Sequence, residues 1–403
     1  MERPAAVTDP GPVPDLLYSE QETDLRKAVR ALLNERLSPT SLLARLESGD
    51  RYDLSLWRAL AAEVGCAGLL IPESLGGAGA SFREAAVVAE ETGRAVAPVP
   101  YLGSAVVAAT ALVTATGTEP AADADRKLIG SLADGAVTAA LAVPFETPPG
   151  GGGQSHVRVT GPPAGGHDDG QDGGRPDAAL TGTVPRLADA LPADVLLVPA
   201  DGVPFGLYLV DAHAAGVTRS PVVSLDGTRV LCDLTLDGVP ARRLAAGDAA
   251  AAAVDAALSA GAAVLAAELL GVAQQCLDMT VAYAKERRQF ARQIGSFQAI
   301  KHRLADLYVA VTQARAASRY AAGCLAEGSA DAAVAVAMAK AYCGEAAVRA
   351  AEECVQLHGG IGFTWEHPAH LYLKRAKSGS IAFGTPDRHR STLAALVGLP
   401  GPS

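Results

Sequence analysis

Aromatic residues are scarce in this chain, at 4% of 403 residues, while alanine abounds. That composition favours long helices. Positive charge is also in deficit, with 34 Lys and Arg against 44 Asp and Glu, a net charge of −10. A net negative charge of that size argues against nucleic acid as the main partner. The six cysteines (Cys66, Cys232, Cys276, Cys324, Cys343, Cys354) are scattered, and none forms a CxxC pair. Neither a disulfide framework nor a zinc site is indicated. They read as small buried residues in a reducing compartment, the cytoplasm. The first ten residues, M-E-R-P-A-A-V-T-D-P, lack an apolar secretory core. The apolar run Gly261–Leu270 is too short to span a bilayer and contains Glu268, so no membrane span is expected.

What is present divides into three textures. Met1–Pro14 is proline-rich and expected to be mobile. Ser19-x-x-Glu22 is a capping box that starts a helix through about Arg36. A second helix is predicted over Leu54–Val64, stopped by Gly65, and a third over Ser81–Thr92, closed by Gly93. Tyr101–Thr116 reads as an apolar helix pair. Residues 1–126 are therefore expected to form a helical domain. From Lys127, short β-like runs separated by Gly, Pro and Asp predict a small antiparallel β domain over 127–246. Inside it, 148–177 is glycine-rich and poor in apolar residues, and is expected to be a loose, disordered loop. From 247 to 403 the helical period returns, apolar almost all round over Val254–Arg288, and predicts a four-helix bundle. The fold class is α+β.

Two stretches concentrate the chemistry. Tyr283–Asp306, Y-A-K-E-R-R-Q-F-A-R-Q-I-G-S-F-Q-A-I-K-H-R-L-A-D, is basic and aromatic. On a continuing helix, Arg287 and Phe290 would share a face. An Arg fork beside an aromatic plane suits a phosphate joined to a flat ring system. The alternative is a polar helix end with two aromatics packed in the core. The second stretch, Gln356–Glu366, reads Q-L-H-G-G-I-G-F-T-W-E, and its glycines let a backbone approach a ligand unobstructed.

Together these stretches resemble the C-terminal half of the acyl-CoA dehydrogenase family of flavoenzymes, from about Leu265 to Arg390. A weaker run, Ile71–Ser81 (I-P-E-S-L-G-G-A-G-A-S), is similar to the family's N-terminal helical domain. The resemblance implies an acyl-CoA dehydrogenase-like fold and flavin adenine dinucleotide (FAD) shared between two subunits. It implies an acyl-CoA substrate, and an electron-transfer flavoprotein as electron acceptor. Carried over, Arg287 would pair with the pyrophosphate and Phe290 would pack on the cofactor. Ile294 and Phe297 would line the adenine side. Gln356, Gly359 and Gly360 would hold the adenosine part and pyrophosphate, and Thr385 would face the cofactor. The residue after Phe290, usually Gly in the family, is Ala291.

The resemblance also implies a carboxylate base, and both familiar positions lack one. The first, 27 residues after Gln356, is Phe383, and the second is Gly261. No catalytic residue is therefore assigned. Glu268, two turns beyond Gly261, is a candidate displaced base. The runs that cover the flavin ring are also altered, to Ala140–Glu146 and Gly182–Leu187. Three functions follow. The chain is the partner subunit of a heteromeric, steroid-type α2β2 dehydrogenase, completing the flavin site of a base-bearing homologous subunit. Or it is a homotetrameric enzyme using Glu268. Or it is a flavin-free acyl-CoA-binding scaffold.

Overall fold

Ser19 opens the first helix by a reciprocal exchange. Its hydroxyl accepts from the Glu22 N–H at 3.1 Å, and the Glu22 carboxylate accepts from the Ser19 N–H at 2.6 Å. Helix α1 spans Glu20–Arg36. Ser38 as cap and Pro39 at the first position start α2 (Pro39–Ser48), an element not anticipated from the sequence. Helix α3 is Leu54–Val64, with Trp57 turned into the core and Gly65 left-handed at its end. Helix α4 runs over Phe82–Arg94 from a Ser81 cap. Gly93, expected to terminate it, lies within it. A π-helical stretch, Tyr101–Ala108, leads into α5 (Ala109–Thr116), and α6 follows at Asp123–Ala133. The expected division at 126/127 falls inside α6, so the helical part extends to Ala133. This computed structural model describes residues 14–117, 122–153, 155–161 and 176–399; the N-terminal segment expected to be mobile lies almost wholly outside them.

The strands are β1 (Ala139–Leu141), β2 (Val157–Gly161), β3 (Ala178–Ala188), β4 (Val195–Ala200), β5 (Gly206–Asp211), β6 (Val217–Val222) and β7 (Leu231–Ala246). They make one seven-stranded sheet in the order β1-β4-β5-β7-β3-β2, with β6 also paired to β7. The sheet is mixed rather than wholly antiparallel. β1 lies parallel to β4, Ala139 opposite Val195, because the chain leaves through β2 and β3 before returning in the same direction. β2 also corrects the expectation of a loose loop over 148–177. Val157 is buried and pairs with Gly182 of β3. The alternation Val157-Arg158-Val159 carries a strand signal that the surrounding glycines outweighed. Residues 162–175 of that segment lie outside the described ones.

Helix α7 is Asp248–Glu286, 39 residues long and buried without a break from Ala260 to Ala273. By length and composition it could cross a membrane, but 89% of its most apolar window is buried inside the protein. It is instead the central rod of a bundle. After a short hairpin come α8 (Gln298–Ala326), α9 (Ala332–His358), α10 (Ala369–Ile381) and α11 (Pro386–Leu396). α7 packs against α8, α9 and α10, and also against α4 and α5 from the first part of the chain. The α4–α7 crossing is backbone to backbone. A methyl group on Gly93 would land on the carbonyl of Glu268, and one on Gly271 on the carbonyl of Glu90. That close approach is why Gly93 lies within a helix.

Candidate functional site

The polar end of α7 does not continue as a helix. Its last turn closes with the Arg287 N–H donating to Tyr283 O at 2.8 Å, and Arg287 is already extended, with φ −64° and ψ 127°. The chain then folds into a hairpin of β8 (Arg288–Gln289) and β9 (Arg292–Gln293). Its two central residues, Phe290 and Ala291, have φ of 51° and 62°. That is the two-residue turn in which glycine is favoured, so the family's habitual glycine has a physical basis at the place where this chain carries Ala291. Arg287 and Phe290 therefore do not share a helix face. Arg287 sits at the base of the hairpin and Phe290 at its tip.

The tip of the hairpin is exposed. The Phe290 ring is 87% exposed, an unusual position for a large aromatic. It stands edge-on to Phe297, with ring centroids 6.2 Å apart. The Phe297 ring is stacked by a guanidinium 3.9 Å from its centroid, but that group belongs to Arg292. Arg287 is exposed, and among the described residues its guanidinium has no hydrogen bond or ion pair. Ile294 is buried beneath, its N–H donating to Arg287 O at 2.9 Å.

The glycine turn lies against the same end of α7. His358, the last residue of α9, is buried with Nδ1 2.6 Å from Cys354 O. Its ring stacks on Tyr283, with centroids 4.4 Å apart, and lies tilted against His367, also at 4.4 Å. Tyr283 stands one turn before Arg287, and His358 immediately precedes Gly359. This stack therefore joins the two motifs, and no periodicity in the sequence announces it. Gln356 is exposed on the last turn of α9. Gly359 and Gly360 are exposed too, and a Cβ on either would meet nothing within 4 Å. An exposed guanidinium and an open glycine backbone are the kinds of group that could hold the diphosphate of a dinucleotide.

The positions of the missing base face each other. An ideal Cβ on Gly261 would fall 2.7 Å from Cζ of Phe383 and 3.0 Å from a Val107 methyl. Phe383 is buried, edge-on to Phe145 at 5.5 Å, and donates its N–H to Phe145 O at 2.8 Å. Two phenylalanine rings thus fill the space beside α7 where a carboxylate would have to stand.

The turn carrying Phe383 is braced from below. Buried Lys340 donates from Nζ to Ser380 O at 3.1 Å and Gly384 O at 3.2 Å. His389 Nε2 lies 2.8 Å from Phe383 O. Burial lowers the Lys340 ammonium to about 7. Burial and the neighbouring Lys340 charge lower the His389 imidazole to about 4. His358 and His389 are both buried. Thr385 caps α11, its hydroxyl accepting from Arg388 N–H at 3.3 Å, and is exposed.

Glu268 is not a free base. It is buried and held by Arg229 at 2.6 Å and Arg375 at 2.8 Å. Burial alone would raise its carboxyl, but the two guanidiniums overcome that and hold it below the usual range. A proton acceptor for carbon acids needs the opposite shift.

The comparisons agree with this architecture. Residues 19–134 match the family description "Acyl-CoA dehydrogenase, N-terminal domain", and residues 251–398 match "Acyl-CoA dehydrogenase, C-terminal domain". The chain is 35% identical over 379 residues to the acyl-CoA dehydrogenase IpdE2 of Mycolicibacterium smegmatis, covering 94% of this chain and 99% of that protein. It is 36% identical to IpdE2 of Mycobacterium tuberculosis, over 89% of this chain and 91% of that one. Among solved structures, a variant of the Tcur3481-Tcur3483 steroid ACAD superposes with a TM-score of 0.79 at 32% identity, over 94% of this chain and 98% of that one. The ChsE4-ChsE5 complex from Mycobacterium tuberculosis superposes with a TM-score of 0.81 at 30% identity, over 96% of this chain and 100% of that one.

Proposed function

The chain belongs to the acyl-CoA dehydrogenase family, and from that premise we propose that it is the base-free subunit of a heteromeric member, completing the flavin site of a homologous base-bearing subunit. The observation that carries this reading is the asymmetry between its two halves. Where the base would stand, Gly261 and Phe383 pack on each other and Phe145 closes the space. Where a shared nucleotide would be gripped, Arg287, Phe290, Gln356, Gly359 and Gly360 are all exposed. Two of the solved relatives are described as a Tcur3481-Tcur3483 and a ChsE4-ChsE5 pairing, and one of these as a steroid enzyme. An α2β2 assembly acting in the cytoplasm on a bulky, steroid-derived acyl-CoA is the matching reading here, with an electron-transfer flavoprotein as electron acceptor.

FAD, where bound, supplies the hydride acceptor for α,β-desaturation. This chain's own residues bind and orient. Arg287 offers a permanent cation to the diphosphate, and the Gly359–Gly360 backbone offers N–H groups that no side chain obstructs. Phe290 and Phe297 present ring faces and edges to the dinucleotide, with Ile294 supporting them from the core side and Gln356 facing the adenosine. Thr385 adds a hydroxyl near the turn that carries Phe383. The proton is taken by the partner's carboxylate.

The chain is to be purified alone and together with its base-bearing homologue, with flavin absorbance and acyl-CoA turnover measured per chain. The expected result is little flavin and no turnover alone, and both in the complex. A yellow, active protein from this chain alone overturns the reading. A complex without flavin would favour the scaffold alternative. The reading in which Glu268 acts as base finds no support in its double ion pair.

A further inference from the structure

The hairpin at the end of α7 carries more positive charge than one diphosphate contact calls for. Lys285, Arg287, Arg288 and Arg292 are all exposed on it or at its base, in a chain whose net charge is −10. Arg292 differs in where its side chain lies. Its guanidinium covers the Phe297 ring, 3.9 Å from the centroid, and makes no hydrogen bond or ion pair among the described residues. The register of the hairpin accounts for this placement. Gln289 stands opposite Arg292, and the ladder continues with the Ile294 N–H donating to Arg287 O at 2.9 Å. Paired residues of an antiparallel ladder share a face, and the face alternates along each strand. Arg287, Gln289, Arg292 and Ile294 therefore belong to one face, and Arg288 and Gln293 to the other. Ile294 is buried and fixes the first face toward Phe297, whose N–H donates to Ile294 O at 3.2 Å.

A guanidinium over a ring at an exposed site is held weakly. Arg292 is exposed and Phe297 only half-buried, so the pair is not packed in place. A flat base can take the ring face instead, by offset stacking. The displaced guanidinium gains a stronger, directional partner if the same ligand carries phosphate. A base without phosphate would displace the cation and offer nothing in return. A phosphate without a base would draw the cation away and leave the ring bare.

We propose that Arg292 is a specificity-determining residue of this site, a displaceable cover on Phe297 that selects ligands joining an aromatic base to a diphosphate. The base takes the ring face, and the guanidinium turns to the phosphate as a second cation beside Arg287. This rests on the reading that the hairpin grips a nucleotide, and adds the requirement that ring and charge arrive together. Arg288, on the opposite face, takes no part.

Titration of the full chain with ADP, inorganic pyrophosphate and adenosine tests this, by calorimetry for the two anions and ligand-observed NMR for adenosine. ADP should bind saturably and at least several-fold more tightly than either of the others. Arg292→Gln should weaken ADP about tenfold, as loss of a charge-assisted contact does. The same variant should bind adenosine equally or more tightly, because the ring is uncovered. Arg292→Lys, which keeps the charge, and Arg288→Gln, on the other face, should each weaken ADP less. Parallel loss of ADP and adenosine in Arg292→Gln overturns the proposal, since the base would then be stacking on the guanidinium itself. So does an ADP affinity that Arg292→Gln leaves unchanged, an equal loss in Arg288→Gln, or the absence of saturable ADP binding. Flavin content of the complex with the base-bearing homologue judges the partner-subunit reading separately. A flavin-free complex beside this ADP pattern overturns that reading alone, and a flavin-bearing complex without the pattern overturns this one alone.

Discussion

Gly261 and Phe383 occupy one another's space: a single carbon added to the first would collide with the ring of the second. The two positions are far apart in sequence and each lacks a carboxylate, but they are one structural event. A ring at 383 is compatible only with a bare α-carbon at 261.

Gly261→Ala should therefore destabilise the protein by about 1–3 kcal/mol, the usual cost of overpacking a core. In Gly261→Ala/Phe383→Leu, the smaller side chain at 383 should return part of that loss. Denaturant unfolding of the four-member cycle measures the coupling. Strict additivity would mean that the two residues do not contend for the same volume.

Arg287→Gln should leave the folding of this chain unchanged, because its guanidinium is exposed and forms no hydrogen bond or ion pair among the described residues. The same change should lower the flavin content of the assembled complex by about tenfold or more, as expected for loss of a charge-assisted contact to a diphosphate. Flavin absorbance per assembled complex, beside melting temperature of the isolated chain, separates the two effects.

Glu268→Gln should cost about 3–5 kcal/mol, because it strips one carboxylate from between Arg229 and Arg375 in the core. The folded-state pKa of Glu268 lies below its ordinary value of 4.5. The unfolded chain therefore takes up the proton first on acidification. The stabilisation is in full force above about 4.5 and is lost as pH falls through the depressed value. Melting curves from pH 7 downward should show this loss in the parent protein and a flatter profile in the variant.

Lys340 has the opposite linkage. Its folded pKa of about 7 lies well below the ordinary 10.5. Between those values the unfolded chain binds the extra proton, so the Lys340 contribution to stability should rise as pH climbs from about 7 towards 10.5. Lys340→Met should remove that rise. Unfolding free energies of both proteins at pH 7 and pH 9.5 give the difference, and equal slopes would refute a buried, weakly basic ammonium.

Replacing Ala291 by isoleucine should weaken the hairpin by about 1–2 kcal/mol, since a β-branched side chain is ill suited to its φ of 62°. Replacing it by glycine should change stability by less than about 1 kcal/mol. Relief of strain and the greater freedom of the unfolded chain nearly offset each other there. Melting temperatures of the two variants decide the matter.

Local rules made much of this legible. The Ser19–Glu22 box, the Leu54–Val64 helix with its glycine stop, and the apolar length of α7 all depend on residues a few positions apart. The failures lie where distant parts of the chain decide. Gly93 reads as a stop signal, yet it is held inside a helix by the proximity of Glu268. Val157-Arg158-Val159 reads as loop because of its glycine neighbours, yet β3 supplies it with a partner. The flavin-facing residues could be named from the sequence, but the hairpin could not. Nothing local shows that the chain turns at Phe290–Ala291, or that Tyr283 and His358 stack to hold the two motifs together. Glu268 was ambiguous for the same reason, since its arginines come from β7's approach and from α10, 39 residues before it and 107 after it.

The glycine crossing of α4 and α7 has a mechanical corollary. Where two helices meet with main chain against main chain, no layer of rotamers is available to slide or repack. The opening third of the polypeptide and its closing bundle are locked at that point. Anything that tugs on the first is felt by the rod whose far tip carries Arg287 and Phe290.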